Sequence, residues 1–287
     1  MNHPSLAGGR LGLYFTWDCE RSLTQLTVRE QRPPLQVIRA FPLPTGGALV
    51  HVHNISGGVL GGDRLALDIE VGPGAQAQLT TTSATRLYRC RPQVPDALQA
   101  SVIRVREGAL LEYLPDPLIP FADSRYQQRT RIDLEAGAGL FWWEMVAPGR
   151  VARGESFAYQ HLFLGLHIAA QGRSIAIENL RLEPQCRALS SLARLGLYDH
   201  FGSFYICRVG LDAACWSRLE TELGELAQEL SRPGDLLWGV SSLVAHGLVV
   251  RVLSRRGRNI PPGLLAFWRV AKQALYGEEP VLPRKIY

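Results

Sequence analysis

The sequence predicts a mainly β protein in which short strands coil and stack in a β-helix-like way, with two or three α-helices near the C-terminus. Three observations carry this expectation. A strand, a glycine-alanine turn, a second strand and a polar loop recur in LALDIEVGPGAQAQLTTTSATRLYR, SVIRVREGALLEYLPDPLIPFADSRY and RIDLEAGAGLFWWEMVAPGRVARGE. Their turns fall at Gly74-Ala75, Gly108-Ala109 and Gly137-Ala138, 34 and 29 residues apart, a spacing suited to stacked units that cannot bury their apolar faces alone. Within the units Leu65, Leu67, Ile69 and Val71 alternate with Ala66, Asp68 and Glu70, the period of two of a half-buried strand. Beyond residue 211 the apolar spacing becomes helical.

The elements follow in order. Thr24 to Val28 and Leu35 to Ile38 read as strands on either side of Arg32-Pro33-Pro34, and Leu49 to Asn54 as a strand after the turn Pro44-Thr45-Gly46-Gly47. In that strand His51 and His53 share one face, where an H-x-H pair either chelates a divalent ion or serves as a surface or hydrogen-bonded feature. The repeat units come next, then strands over Phe157 to Ile168, Ser174 to Leu182 and Phe204 to Val209. Glu178, inside IAIENLRL, faces solvent or a polar interior. Asp212 caps a helix with the stripe Trp216, Leu219, Leu223, Leu226 and Leu230, ended by Pro233-Gly234. Asp235 is expected to cap a second helix through LLWGVSSLVAHGLVVRVLS, buried or partner-facing, with His246 as a core histidine. Pro261-Pro262 open a third that Gly277 closes, and the tail PVLPRKIY is extended.

The 287 residues, 46% hydrophobic, suffice for one continuous domain over 1–287, β-rich from 11 to 210 with a helical segment from 212 to 277 packed on it. No 18-residue apolar run occurs, and MNHPSLAGGR lacks the basic-then-apolar order of a signal peptide. The expectation is a cytoplasmic protein without membrane contact. Cys19, Cys90, Cys186, Cys207 and Cys215 lie far apart with no C-x-x-C pair, which reads as structural thiols. The net charge of +5 rests almost entirely on arginine, with Lys272 and Lys285 the only lysines and Arg255-Arg256-Gly257-Arg258 the longest basic run. That dispersal argues against nucleic acid and for an acidic protein partner, because the planar guanidinium binds carboxylates bidentately.

The densest chemistry lies between Asn54 and Arg89. Four glycines in GGVLGG lead into Asp63-Arg64, and the hydroxyl run Thr80, Thr81, Thr82, Ser83 follows one strand later. If every unit closes on the same turn, the polar loops emerge together at the opposite end. That would gather Thr81, Ser83, Arg86, Asp116, Asp123, Arg125, Glu144, Arg150 and Glu155, either as a working surface or as solvated loops. No GxxxxGK[ST], GxSxG, HExxH or GxGxxG is present, so nucleotide, acyl-transfer and zinc-protease chemistries have no support.

GGVLGGD followed by TTTSATRLYR, LEYLPDPLIPF, APGRVARGE and ALYG...PR, in that order from about Gly57 to Arg284, resembles the urease accessory proteins called UreD, or UreH in some bacteria. The resemblance implies a non-enzymatic scaffold for urease maturation that bridges apo-urease to a UreF-like protein and, through it, to the nickel-carrying GTPase UreG. It also implies transient Ni²⁺ rather than a tightly bound cofactor, moving through a polar internal tunnel. Carried over by motif, Asp63, Glu144 and Glu178 are the weak metal stations, with Thr80, Thr81, Ser83, Thr85 and Arg86 as the hydroxyl cluster and its arginine, and Arg150 and Glu155 as the GR-x-x-x-GE pair. Thr82 stands where many relatives carry glutamine, and the ending Arg284-Lys285-Ile286-Tyr287 also departs from the pattern. Isolated oxygen ligands suit a conduit, since several His or Cys ligands would trap nickel. Two rival readings are a β-rich enzyme using Asp63, Glu144 and Arg150 on a small anion, and a nickel store using His51 and His53. For the three carboxylates the alternative to transit is an ion pair with a nearby arginine, since an unpaired buried carboxylate is costly.

Overall fold

The computed structural model describes residues 8–191 and 193–283 of the chain. The start of MNHPSLAGGR and the ending Arg284 to Tyr287 lie outside the described residues. The fold is mostly β with two helices. Strands β1 (Gly8–Asp18) and β2 (Leu23–Arg32) form an antiparallel hairpin, and the short β3 (Leu35–Gln36) and β4 (Ala40–Pro42) flank β5 (Ala48–Asn54). The chain then coils through β6 (Arg64–Val71), β7 (Gln76–Thr81), β8 (Thr85–Leu87), β9 (Ala97–Val105), β10 (Leu110–Tyr113), β11 (Leu118–Pro120), β12 (Arg125–Leu134), β13 (Gly139–Val146) and β14 (His161–Ala170). After it come β15 (Arg173–Leu182), β16 (His200–Arg208), α1 (Ala213–Leu230), β17 (Leu236–Ser242), β18 (Gly247–Ser254) and α2 (Ile260–Tyr276).

Successive long strands of the coil alternate between two facing sheets. Sheet one runs β15-β14-β12-β9-β6-β1-β2 and sheet two runs β17-β18-β16-β13-β10-β7-β5-β3. Within each sheet the coil strands pair in parallel, β6 with β9, β9 with β12 and β12 with β14 on one side, β5 with β7, β7 with β10 and β10 with β13 on the other. The sheets remain open, and antiparallel strands complete both: β2 and β15 at the two edges of sheet one, and β16, β18 and β17 on sheet two.

The repeat read from sequence is the coil itself. At each Gly-Ala step the glycine takes a left-handed backbone, φ 67, 62 and 68° at Gly74, Gly108 and Gly137, which a Cβ would disfavour. The following alanines, Ala75, Ala109 and Ala138, are buried in a column. Hydrogen bonds join each turn to the next, from Gly74 N–H to Glu107 O at 3.0 Å and from Gly108 N–H to Ala136 O at 2.9 Å.

Two cores result. Inward residues of both sheets, among them Leu11, Phe15, Ile69, Leu79, Ile103, Leu111, Ile132, Leu140 and Ile168, fill the space between the sheets. The outer face of sheet two carries Leu110, Phe141, Trp143, Phe204 and Val250, and α1 and α2 cover it with Trp216, Leu219, Leu223, Leu264, Phe267 and Trp268. Helix α1 begins as expected, with Asp212 Oδ1 accepting from Cys215 N–H at 2.7 Å. Helix α2 ends at Gly277, whose N–H reaches Gln273 O.

The helix expected from the Asp235 cap through Ser254 is instead the β17–β18 hairpin, paired from Leu236↔Ser254 to Ser242↔Leu248. The near-continuous apolar run suggested a buried helix, but its β-branched residues Val240, Val249, Val250 and Val252 favour an extended strand. Leu236, Trp238, Leu248, Val250 and Val252 are consumed in the second core. His246 lies in the hairpin turn at φ 57° rather than in a core. Helix cap duty for Asp235 disappears as well; its carboxylate accepts from Asn259 Nδ2 at 3.1 Å. The five cysteines are free thiols, with Cys90 and Cys207 buried.

Candidate functional site

The glycine-rich loop packs on the coil by close approach. A Cβ at Gly58 would fall 2.5 Å from Arg86 O and 2.6 Å from the Tyr88 ring, so only glycine lets the next residue, Val59, bridge to Leu87 on β8. Asp63 closes this loop: its Oδ2 accepts from Leu60 N–H at 2.9 Å. Burial pushes its carboxyl above the usual range, and the Leu60 N–H pulls it back down. Arg64 donates to the carbonyls of Gly62, Asp63 and Asp96, so it does not pair with the Asp63 side chain.

Behind the loop a cavity of about 90 Å³ enters the space between the sheets. Gly57, Gly58, Thr81, Ser83, Thr85 and Asp116 line its mouth; Gln99, Tyr113, Tyr126, Gln128 and Glu144 line its depth. Asp63 lines neither this cavity nor the next. Thr81 and Asp116 are tied together, Asp116 N–H donating to Thr81 Oγ1 at 2.9 Å. Ser83 is exposed at the rim. Thr80, one residue before Thr81, points to the other side of sheet two, where its hydroxyl donates to Leu114 O at 2.6 Å. Arg86 is exposed, and it meets the loop through its backbone carbonyl, which accepts from Val59 N–H at 2.8 Å.

Glu144 sits inside the sandwich because β13 alternates, Leu140, Trp142 and Glu144 inward against Phe141 and Trp143 outward. Gln128 Nε2, from β12 on the opposite sheet, donates to Glu144 Oε1. Burial raises the Glu144 carboxyl to about 7; the Gln128 hydrogen bond opposes the rise, and the charge of Glu178 adds to it. Tyr113 and Tyr126 are pushed upward by burial and by neighbouring negative charge. A carboxyl this deep with one amide donor requires either its proton or water, and a polar cavity of this size admits water.

Glu144 also lines a second, smaller space of about 30 Å³, with Glu178, Ser203, Gly202 and Phe201. Glu178 is three-quarters buried on β15, where Arg251 Nη1 donates to its Oε1 at 2.7 Å and the Tyr205 hydroxyl donates to its Oε2. Glu144 therefore links the Gly57–Asp116 mouth to the Glu178 flank, while Asp63 stands apart.

The remaining motif pair is a loop clamp. Arg150 Nε donates to Glu155 Oε2 at 2.8 Å, the guanidinium lies 4.1 Å from the Phe121 ring centre, and Ala122 N–H donates to Glu155 at 3.2 Å. The Arg150 guanidinium holds the Glu155 carboxyl below its ordinary range. Asp123 pairs with Arg89 and Arg125 with Asp96, so the polar loops stack at one end as expected while much of their charge is matched internally. His51 and His53 share the other face of β5 from Val50 and Val52; burial and the neighbouring His51 lower the His53 pKa.

Gln128, Tyr126 and Arg251 were not singled out from the sequence. Their signal was present: Tyr126 and Gln128 occupy inward positions of a strand whose later inward residues include Ile132 and Leu134, and Arg251 is a lone charge in VVRVL.

Among the described residues no group of three or more His, Cys, Asp or Glu could hold a metal ion. No described helix is long and apolar enough to cross a membrane. What the two cavities offer is a set of single oxygen donors, carboxylates, hydroxyls and amide carbonyls, which favours brief contact with a cation over capture.

Comparison with known proteins gives the chain's family. The model of the UreD urease accessory protein family matches residues 7–286. The chain is 52% identical over 279 residues to a urease accessory protein UreD from Herpetosiphon aurantiacus, covering 97% of this chain and 96% of that one. It is 36% identical over 265 residues to a UreD from Cenarchaeum symbiosum, with 89% and 90% covered. A UreD from an Arthrobacter species is 32% identical over 263 residues. With the family model spanning nearly the whole chain, this protein belongs to the UreD family of urease accessory proteins and has a role in urease maturation.

Proposed function

We infer that the chain is a non-catalytic maturation scaffold that binds apo-urease and the UreF-like and UreG-like accessory proteins, and that Ni²⁺ passes along the interior path from the Gly57–Asp116 mouth past Glu144 to Glu178. The observation that carries this reading is the position of Glu144, which lines both cavities and so makes them continuous in chemistry. Oxygen ligands met one at a time attract a divalent cation without retaining it, as conduction requires. Family membership supports the urease and accessory-protein partners.

The rival site of an enzyme finds less support. Asp63 is engaged with Leu60 N–H, Arg150 with Glu155 and Glu144 with Gln128, so the three groups named for it do not converge. A nickel store on His51 and His53 lacks a third ligand among the described residues.

The test is the nickel content of urease matured in cells with Glu144→Gln, Glu178→Gln or both, alongside co-purification of the whole assembly. Reduced nickel with intact assembly is the expected result. Normal nickel loading in the double variant would sink the conduit reading, whereas loss of co-purification would assign these residues to the scaffold.

A further inference from the structure

Glu144, Ser203, Arg251 and Gly239 form one cross-strand row on sheet two, Glu144↔Ser203 between β13 and β16, Ser203↔Arg251 between β16 and β18, and Gly239↔Arg251 between β17 and β18. Neighbouring strands stand about 4.8 Å apart, so the Arg251 backbone lies roughly 10 Å from that of Glu144. Glu178 on β15 meets this row from the opposite sheet. One of its oxygens takes the Tyr205 hydroxyl and the other takes Arg251 Nη1, which lies 3.1 Å from Ser203 Oγ as well.

Resting on the conduit reading above, we propose that Arg251 is a resident counter-cation at the Glu178 end of the path, occupying the carboxylate that a divalent cation must use and yielding it when the guanidinium swings outward. Three features make the guanidinium displaceable. Its side chain is 52% exposed, against 25% for Glu178. The next residue of the row is Gly239, where a Cβ would meet nothing within 4 Å, so the space beyond Arg251 is open. The contact is a single Nη1 contact to one carboxylate oxygen rather than a fork on both, which forgoes the bidentate geometry that makes arginine pairs strong. Ser203 supplies a hydroxyl that holds the guanidinium in the inward position.

Leaving Glu178 returns the half-exposed guanidinium to solvent. It is permanently charged, so it keeps its charge there. Entry of a cation at Glu178 and departure of the arginine are then one exchange, in which Ni²⁺ brings one positive charge more than the guanidinium removes.

The experiment uses the purified full chain and Ni²⁺ itself. Arg251→Met, which keeps the apolar stem and removes the charge, is expected to bind Ni²⁺ at least tenfold more tightly by calorimetry or chelator competition. The gain is lost in Arg251→Met combined with Glu178→Gln, and Arg251→Lys, which retains a cation, stays within about threefold of the native affinity. Circular dichroism and thermal melts establish that each variant is folded. Nickel affinity of Arg251→Met equal to that of the native chain overturns the inference, and so does a gain that persists without Glu178. The conduit reading is judged separately by nickel loading of urease with the Glu144 and Glu178 variants, so either idea fails without the other.

Discussion

Gln128 of sheet one donates its side-chain amide to Glu144 of sheet two, one of the polar contacts that join the sheets inside a largely apolar sandwich. The acid at its centre carries a folded-state pKa of about 7 against 4.5 for an ordinary glutamate. Between those values the folded chain holds more protons than the unfolded one, so the Glu144 contribution is most favourable below about pH 4.5 and is lost as pH rises toward 7. A rise of that size corresponds to roughly 3 kcal/mol. Glu144→Gln, whose side-chain oxygen can still accept from Gln128 Nε2, is expected to remove that slope. Subtracting its urea-unfolding free energies from those of the native chain across pH 4 to 8 measures it; a difference independent of pH would refute the assignment.

Lys272 and Glu112 make a second prediction. Both side chains are at most 3% exposed, with Nζ 3.1 Å from Oε1, and Trp268 Nε1 donates to the same carboxylate at 2.8 Å. Burial pushes the Glu112 carboxyl upward, with the Lys272 charge pulling the other way. Removing one partner of such a pair strands a buried charge and costs about 3–5 kcal/mol. Lys272→Met is therefore expected to loosen α2 from sheet two, and a second change, Glu112→Gln, to recover much of the loss. Urea unfolding of the single and double variants decides the matter.

Closing the mouth is a test by bulk rather than charge. Ser83 is exposed yet lines the first cavity, so Ser83→Trp should leave stability within about 0.5 kcal/mol of native, as exposed substitutions usually do. Nickel loading of urease should fall several-fold in the same strain. Unchanged loading would mean that cargo enters elsewhere.

The Arg150–Glu155 clamp predicts a local effect. Arg150→Ala should speed amide exchange at Ala122 and Glu155 by at least tenfold while the amides of β13 keep their protection, because the clamp holds a loop that the sheet does not. Equal exchange throughout would show the loop to be held by other contacts.

The coil was legible because its signal repeats: three Gly-Ala steps at similar spacing specify three equivalent left-handed turns. Helices α1 and α2 were legible through Asp212, Pro261-Pro262 and Gly277, whose chemistry is local. The β17–β18 hairpin was not, since β18, apolar on both faces, loses the alternation that marks a half-exposed strand, and a short apolar run then resembles a helix segment. At the site the motifs marked Glu144 and Glu178 as residues of interest. The sequence left open whether an arginine would neutralise them; Arg251 reaches Glu178 from 73 positions away in the chain, while Glu144 has an amide instead. Asp63 looked like a member of the same set but is spent on holding its own loop.

The parallel coil has a consequence for how a nascent chain acquires this shape. Each turn leans on the one synthesised just before it, so the layers can be laid down in the order in which the ribosome delivers them. The contact between Lys272 and Glu112 obeys a different clock, because 160 residues separate the two. Until α2 emerges, the outer surface of sheet two presents Leu110, Phe141 and Phe204 without their cover. The interval between those events is when the growing polypeptide is most exposed to aggregation and has most to gain from the company of a chaperone.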